Sequence, residues 1–132
     1  MRAVNLSALL FVLGSQIANA GDVRHSRFPE SVVGIWATSA EMCGASDTGT
    51  SRFVITAGKI VDSKLECAVE YVVETAAPRG PIYSAHGYCT DKTQSAEKSI
   101  LNLVVQPRSD SQISIGLTLG SLADYQRCPQ SQ

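Results

Sequence analysis

Leu65-Glu66-Cys67-Ala68-Val69-Glu70-Tyr71-Val72-Val73-Glu74 is the stretch that decides the fold. Leu65, Cys67, Val69, Tyr71 and Val73 fall on one side of an extended chain. Glu66, Ala68, Glu70, Val72 and Glu74 fall on the other. Successive side chains of a strand point to opposite faces, so this segment reads as a half-buried strand with its glutamates in water. A helix would spread those glutamates around its whole circumference. The side that carries Cys67 is expected to face the core.

The same period of two recurs along the chain. Ile113, Ile115, Leu117 and Leu119 alternate with Ser114, Gly116, Thr118 and Gly120. Ile100 to Val105 is apolar except for Asn102, with Leu101, Leu103 and Val105 as the expected inner set. Arg52 to Thr56 and Lys59 to Asp62 flank Ala57-Gly58, which reads as a tight hairpin turn. Ile82 to Cys89 is a further strand, Gly34 to Thr38 opens the series, and Ala123 to Arg127 closes it. Turn clusters separate these runs: Ser46-Asp47-Thr48-Gly49, Pro78-Arg79-Gly80-Pro81, Pro107-Arg108-Ser109-Asp110 and Gly120-Ser121. Asp91 to Lys98 is a longer polar connection with room for a helical turn. About eight short strands at regular spacing predict an all-β domain, an antiparallel up-and-down barrel or a sandwich.

The first twenty residues have a different character. Arg2 precedes an apolar run centred on Leu9, Leu10, Phe11, Val12 and Leu13, which ends at Ala18-Asn19-Ala20. A positive start, a short apolar centre and an A-x-A site describe a cleaved secretory signal peptide over residues 1–20. The run falls short of the roughly 20 apolar residues that span a bilayer, so no membrane span is expected. The remaining 112 residues divide into a flexible segment at 21–33 and a single β domain at 34–132. Within the segment, Pro29 to Val33 is a candidate helical turn that plugs one end of a barrel. Arg24, His25 and Arg27 form a small basic cluster near the new N-terminus. The charges elsewhere are interspersed and the whole chain carries a net −1, so nucleic-acid binding is not expected. The protein is expected to be periplasmic or secreted.

Cys43, Cys67, Cys89 and Cys128 all follow the leader. An even count in an exported domain of this size predicts two disulfides. No C-x-x-C and no C-x-H occurs, and His25 and His86 lie far apart, so neither a zinc site nor a thioredoxin-type centre is expected. Three pairings are open. The preferred one joins Cys43 to Cys67 and Cys89 to Cys128, the second bond holding down the C-terminus.

Gly34-Ile35-Trp36 and Tyr125-Gln126-Arg127-Cys128, at the two ends of the domain, resemble the lipocalin-like, or calycin, barrels. That family opens its first strand with Gly-x-Trp after a short helical turn. A basic side chain from its last strand packs across the indole. The resemblance therefore implies structural roles for Gly34, Trp36 and Arg127. The layout of Trp36, Cys43 and the segment from Gly21 to Phe28 is also similar to small periplasmic protease-inhibitor barrels, whose N-terminus reaches into the protease. This chain departs from them in having four cysteines rather than one disulfide, and no late second tryptophan.

The chemistry-bearing residues do not assemble into a catalytic pattern. The chain has no Gly-x-Ser-x-Gly elbow and no glycine-rich phosphate loop; Gly44, Gly49 and Gly58 are isolated turn glycines. Glu66, Glu70 and Glu74 read as a solvated face, not as a glycosidase pair. His86 and Tyr88 share one side of their strand with Ile82 and Ser84. Two readings stand for them: a satisfied structural histidine beside a tyrosine, or polar contacts inside a ligand cavity. The expected function is a non-catalytic binding module that holds a small apolar ligand. The alternative is an inhibitor or interaction protein acting on an envelope or secreted enzyme. No metal or cofactor is expected.

Overall fold

The computed structural model describes residues 21–44, 51–93 and 97–130. The expected leader, the turn cluster at 46–49 and part of the 91–98 connection lie outside the described residues. The strands are β1 Val23–His25, β2 Gly34–Ala37, β3 Arg52–Ile55, β4 Lys59–Val61, β5 Leu65–Thr75, β6 Ile82–Asp91, β7 Lys98–Ser109, β8 Gln112–Gly116 and β9 Ala123–Arg127. Strands β2 to β9 pair antiparallel, each with its sequence neighbour, and β9 pairs back onto β2. The result is a closed, eight-stranded, up-and-down barrel, one of the two architectures that the alternation predicts. Closure removes the open sheet edges that a sandwich of this size would have to protect.

The ninth strand is an addition. The segment from Gly21 to Phe28 was expected outside the sheet, yet Val23, Arg24 and His25 pair with Glu74, Val73 and Val72. The physical reason is a gap. Strand β5 is eleven residues long, and the short β4 covers only Glu66, Ala68 and Cys67 between them. The rest of that edge would present unpaired N–H and C=O groups, and β1 satisfies them. Arg24 also lies over the Tyr71 ring at 3.8 Å, so part of the basic cluster is docked on the barrel.

Strand β5 changes phase in its middle. Val69 pairs with Gly87 and Tyr71 with His86, which leaves Glu70 as an extra, bulged residue. Cys67 is buried as expected, but beyond the bulge Val72 is the fully buried side chain. Tyr71 and Val73, expected inside, lie on the outer face. Gly87 makes this possible: a Cβ there would collide with the Ala68 carbonyl and crowd the Glu70 nitrogen.

The main core consists of Phe28, Val32, Trp36, Phe53, Ile55, Val72, Tyr83, Ala85, Val105, Ile113 and Ile115. Each large side chain buried here contributes about 1.5–3 kcal/mol. A second, smaller cluster joins Cys67, Cys89 and Leu101. The expected inner set Leu101, Leu103 and Val105 does face inward. Leu117 does not follow the expectation for Ile113 and Ile115: β8 stops at Gly116, and Leu117 and Leu119 are exposed.

Two disulfides are present, in a pairing other than the preferred one: Cys43 with Cys128, and Cys67 with Cys89. Adjacency decides it. Cys67 and Cys89 are direct partners across the β5–β6 ladder, and Cys128 follows β9 beside β2, bonding its N–H to the Ile35 carbonyl. Cys43, on the turn Ala40–Gly44 after β2, is therefore its neighbour.

Candidate binding site

The two ends of the barrel are built differently. One end is plugged. Glu30–Val32 forms a single 3-10 turn whose Val32 side chain is fully buried. Trp36 donates its indole N–H to the Val32 carbonyl at 2.9 Å. Arg127 then covers the ring, its guanidinium carbon 4.3 Å from the ring centre. The same guanidinium donates Nη1 to the Val33 carbonyl at 2.6 Å, Nη2 to Ser31 at 2.8 Å and Nε to Asp110 at 2.8 Å. These are carbonyls that a short turn leaves without a partner of its own. Gly34 has a φ of +154°, and a Cβ there would stand 2.5 Å from Arg127 Nη1. Gly34, Trp36 and Arg127 thus act together in sealing this end.

The other end opens into an apolar cavity of about 310 Å³. Phe53, Cys67, Cys89, Leu103, Ile115 and Tyr125 are among the residues that line it. The Phe53 and Tyr125 rings meet edge to face at 4.8 Å. Burial pushes the Tyr125 hydroxyl above the ordinary phenol range, as an apolar setting should. Two polar side chains at the mouth are engaged with the protein itself. Asp62 Oδ1 accepts from the Lys64 and Leu65 amides, and Asn102 Oδ1 pairs with His86 Nδ1 at 2.8 Å. Around the opening, Ile100 is 75% exposed and Leu117 is 74% exposed. The volume lies at the lower end of the range of small-molecule pockets, roughly 300–1,000 Å³.

One wall of this cavity is incomplete. Strand β7 begins at Lys98, but its pairing with β8 begins only at Val104, opposite Gly116. From Lys98 to Leu103 the strand has β6 on one side and, among the described residues, no strand on the other. The cavity therefore opens sideways as well as upward. Its lining includes five consecutive β7 residues, Ser99 to Leu103. Consecutive residues point to opposite faces, so all five can border one cavity only along the strand's edge.

His86 and Tyr88, the candidates for polar contacts in a cavity, lie on the outer face of β6. Tyr83, Ala85, Gly87 and Cys89 are the buried, inward residues of that strand. His86 stacks on Tyr71 at 4.7 Å, and Tyr88 is 45% exposed. The two do share a side, and it faces away from the cavity. Neither His25 nor His86 lines the cavity. His25 Nε2 lies 3.8 Å from Glu74 at the β1–β5 junction.

Phe53 and Tyr125, which line the cavity, are not among the contact candidates that the sequence offers, and Ser114 falls on the expected solvent side of its strand. Ser114 is fully buried: its hydroxyl accepts from Arg108 Nε at 2.8 Å and donates to Asp124 Oδ1. The opposite charges of Arg108 and Asp124 were a signal in the sequence, but only strand adjacency brings them to one serine. Among the described residues, no helix is long and apolar enough to cross a membrane. Comparison with protein-family models, curated proteins and solved structures finds no match for this chain.

Proposed function

We propose that this chain is an exported, non-catalytic binding module of lipocalin-like type, and that the apolar cavity at the unplugged end is its binding site. One observation carries the reading. A space of about 310 Å³ is walled by apolar side chains and ringed by leucine and isoleucine left in water. Exposed apolar groups around a concave apolar surface are costly for a free protein and mark a site that something else covers. Export is supported by the leader-like residues 1–20 and by two disulfides, which persist in oxidising compartments. The up-and-down topology and the Gly34, Trp36 and Arg127 clasp support the lipocalin-like reading.

The test uses 1-anilinonaphthalene-8-sulfonate as an apolar probe. Saturable binding at one site is expected. Leu103→Trp, which fills the cavity, and Leu117→Glu, which charges its rim, should each abolish it; circular dichroism checks that both variants fold, and in Leu117→Glu the Trp36 emission reports an intact plugged end. A folded wild-type protein that leaves the probe free would defeat the proposal, as would a Leu103→Trp variant that binds it equally well.

A further inference from the structure

We infer that the natural occupant of this cavity is an extended polypeptide segment that adds to the free edge of β7. The inference rests on the cavity being a binding site and names what that site takes.

The hydrogen-bond directions can be counted around the barrel. In an antiparallel sheet, a residue turns both backbone groups to one neighbour and the next residue turns both to the other. The Asp62 amide donates to the Leu65 carbonyl and the Val69 amide to Gly58, so the odd residues at the start of β5 face β4. The even residues then face β6, as the bond from the Lys92 amide to the Lys64 carbonyl requires. Carrying the alternation through the β5–β6 and β6–β7 registers, Ser99, Leu101 and Leu103 face β6. Ile100 and Asn102 turn N–H and C=O to the open side. A count from the opposite direction agrees. The Arg127 amide bonds the Ser111 carbonyl, which sets Ser114 and Gly116 against β7 and pairs Val104 with Gly116. The ladder then stops, and the groups of Ile100 and Asn102 lie just beyond its end.

An extended chain is the ligand that matches these features together. It offers N–H and C=O at ladder spacing to the β7 edge, and it points every second side chain inward. Those side chains would enter the apolar cavity. Ile115 and Leu117 line the same cavity, so the inward side chains of an added strand meet apolar partners beyond the β7 edge. A simple hydrocarbon would fill the cavity but leave the Ile100 and Asn102 backbone groups without protein partners.

The probe is a capped heptapeptide of alternating threonine and leucine with lysine at each end, assayed with the full mature protein. In the free protein, hydrogen exchange by NMR should find the Ile100 and Asn102 amides fast, and the Ser99, Leu101 and Leu103 amides slow. Peptide should protect Ile100 and Asn102 and displace the anilinonaphthalene probe. Ile100→Pro removes the N–H aimed at the open side, at a position that tolerates proline in an edge strand. It should weaken binding by about tenfold or more, as loss of a ladder bond implies. Ile100→Val keeps that N–H and an apolar side chain at the rim, and its binding should stay well above that of Ile100→Pro. Methylating alternate peptide nitrogens must give the same loss from the ligand side, whether or not Ile100→Pro folds. If the apolar probe binds but peptide at about 1 mM, a weak-binding concentration, neither displaces it nor protects the two amides, the strand proposal falls and the cavity reading stands. If neither binds, both fall. Protection that rises with protein concentration alone would assign the edge to a second copy of this chain and overturn the proposal.

Discussion

Arg127 stands over the Trp36 ring, its guanidinium carbon 4.3 Å from the ring centre, and the two residues are also direct partners across the β2–β9 ladder. That ladder is the seam that closes the barrel, and it contains two paired positions, Trp36 with Arg127 and Ala37 with Gln126. So short a seam leaves much of the closure to the Arg127 side chain, which ties β9 to the turn before β2. Arg127→Lys keeps the charge and loses the planar fork. We expect it to destabilise by about 1.5–3 kcal/mol, the range for hydrogen bonds to a charged group. Urea unfolding followed by Trp36 emission measures this directly, because Trp36 is the sole tryptophan.

Gly34 belongs to the same clasp. Alanine there must adopt a φ of +154° and place its methyl 2.5 Å from Arg127 Nη1. Gly34→Ala should cost about 1–3 kcal/mol from backbone strain, and more where the guanidinium is pushed off its carbonyls. In the double variant with Arg127→Ala the steric part should disappear, so the two losses should not add. Additive losses would mean that the glycine serves the backbone alone.

How far the sequence could be read follows from where its rules are local. The eight barrel strands were legible, because each writes its own alternation and its own turns. The clasp was legible from Gly34, Trp36 and Arg127 only through a resemblance, since nothing local links residues so far apart. The inner face of β5 was misread after Glu70 because the bulge depends on Gly87, a residue of another strand. The cavity was illegible for a related reason. It exists because β8 ends at Gly116 while β7 continues to Lys98, and neither strand's pattern records the length of its neighbour. Leu117 kept the sequence alternation without a strand to carry it.

The disulfide pairing yields a quantitative contrast. Cys43–Cys128 closes a loop with a sequence separation of 85, and Cys67–Cys89 one of 22. Chain entropy alone assigns these about 4.6 and 3.4 kcal/mol. Cys43→Ser, Cys128→Ser and the double variant should lower stability alike. Cys67→Ser and Cys89→Ser should form a second, milder set. Peptide mapping of the oxidised protein, with one linked fragment for each bond, checks the assignment independently.

Gly87 is a test of the bulge. A methyl group there meets the Ala68 carbonyl and crowds the Glu70 nitrogen, which are backbone atoms with no rotamer to yield. Gly87→Ala should destabilise by about 1–3 kcal/mol, as overpacking does. Gly58→Ala, where a Cβ would meet nothing within 4 Å, is the control, and its change should stay within about 0.5 kcal/mol. Equal stabilities for the two variants would show that β5 can shed its bulge at no cost.

Alkaline pH should weaken the barrel through two tyrosines. Burial pushes the Tyr83 hydroxyl above the ordinary phenol range, helped by the neighbouring Glu74 carboxylate, and burial alone does the same for Tyr125. In the unfolded chain both ionise near pH 10. Between that value and the higher folded ones, the folded state holds protons that the unfolded state has released. The unfolded state binds fewer protons there, so stability falls as pH rises. Below the unfolded value both states are protonated and the contribution is flat. Urea midpoints should therefore be level up to about pH 9 and decline beyond about pH 10. Tyr125→Phe removes one of the two resisting groups and should make that decline shallower, even where the variant is less stable at neutral pH. A decline of unchanged slope would mean that Tyr125 ionises as readily in the folded barrel as in the unfolded chain, and the apolar character of the cavity wall would have to be given up with it.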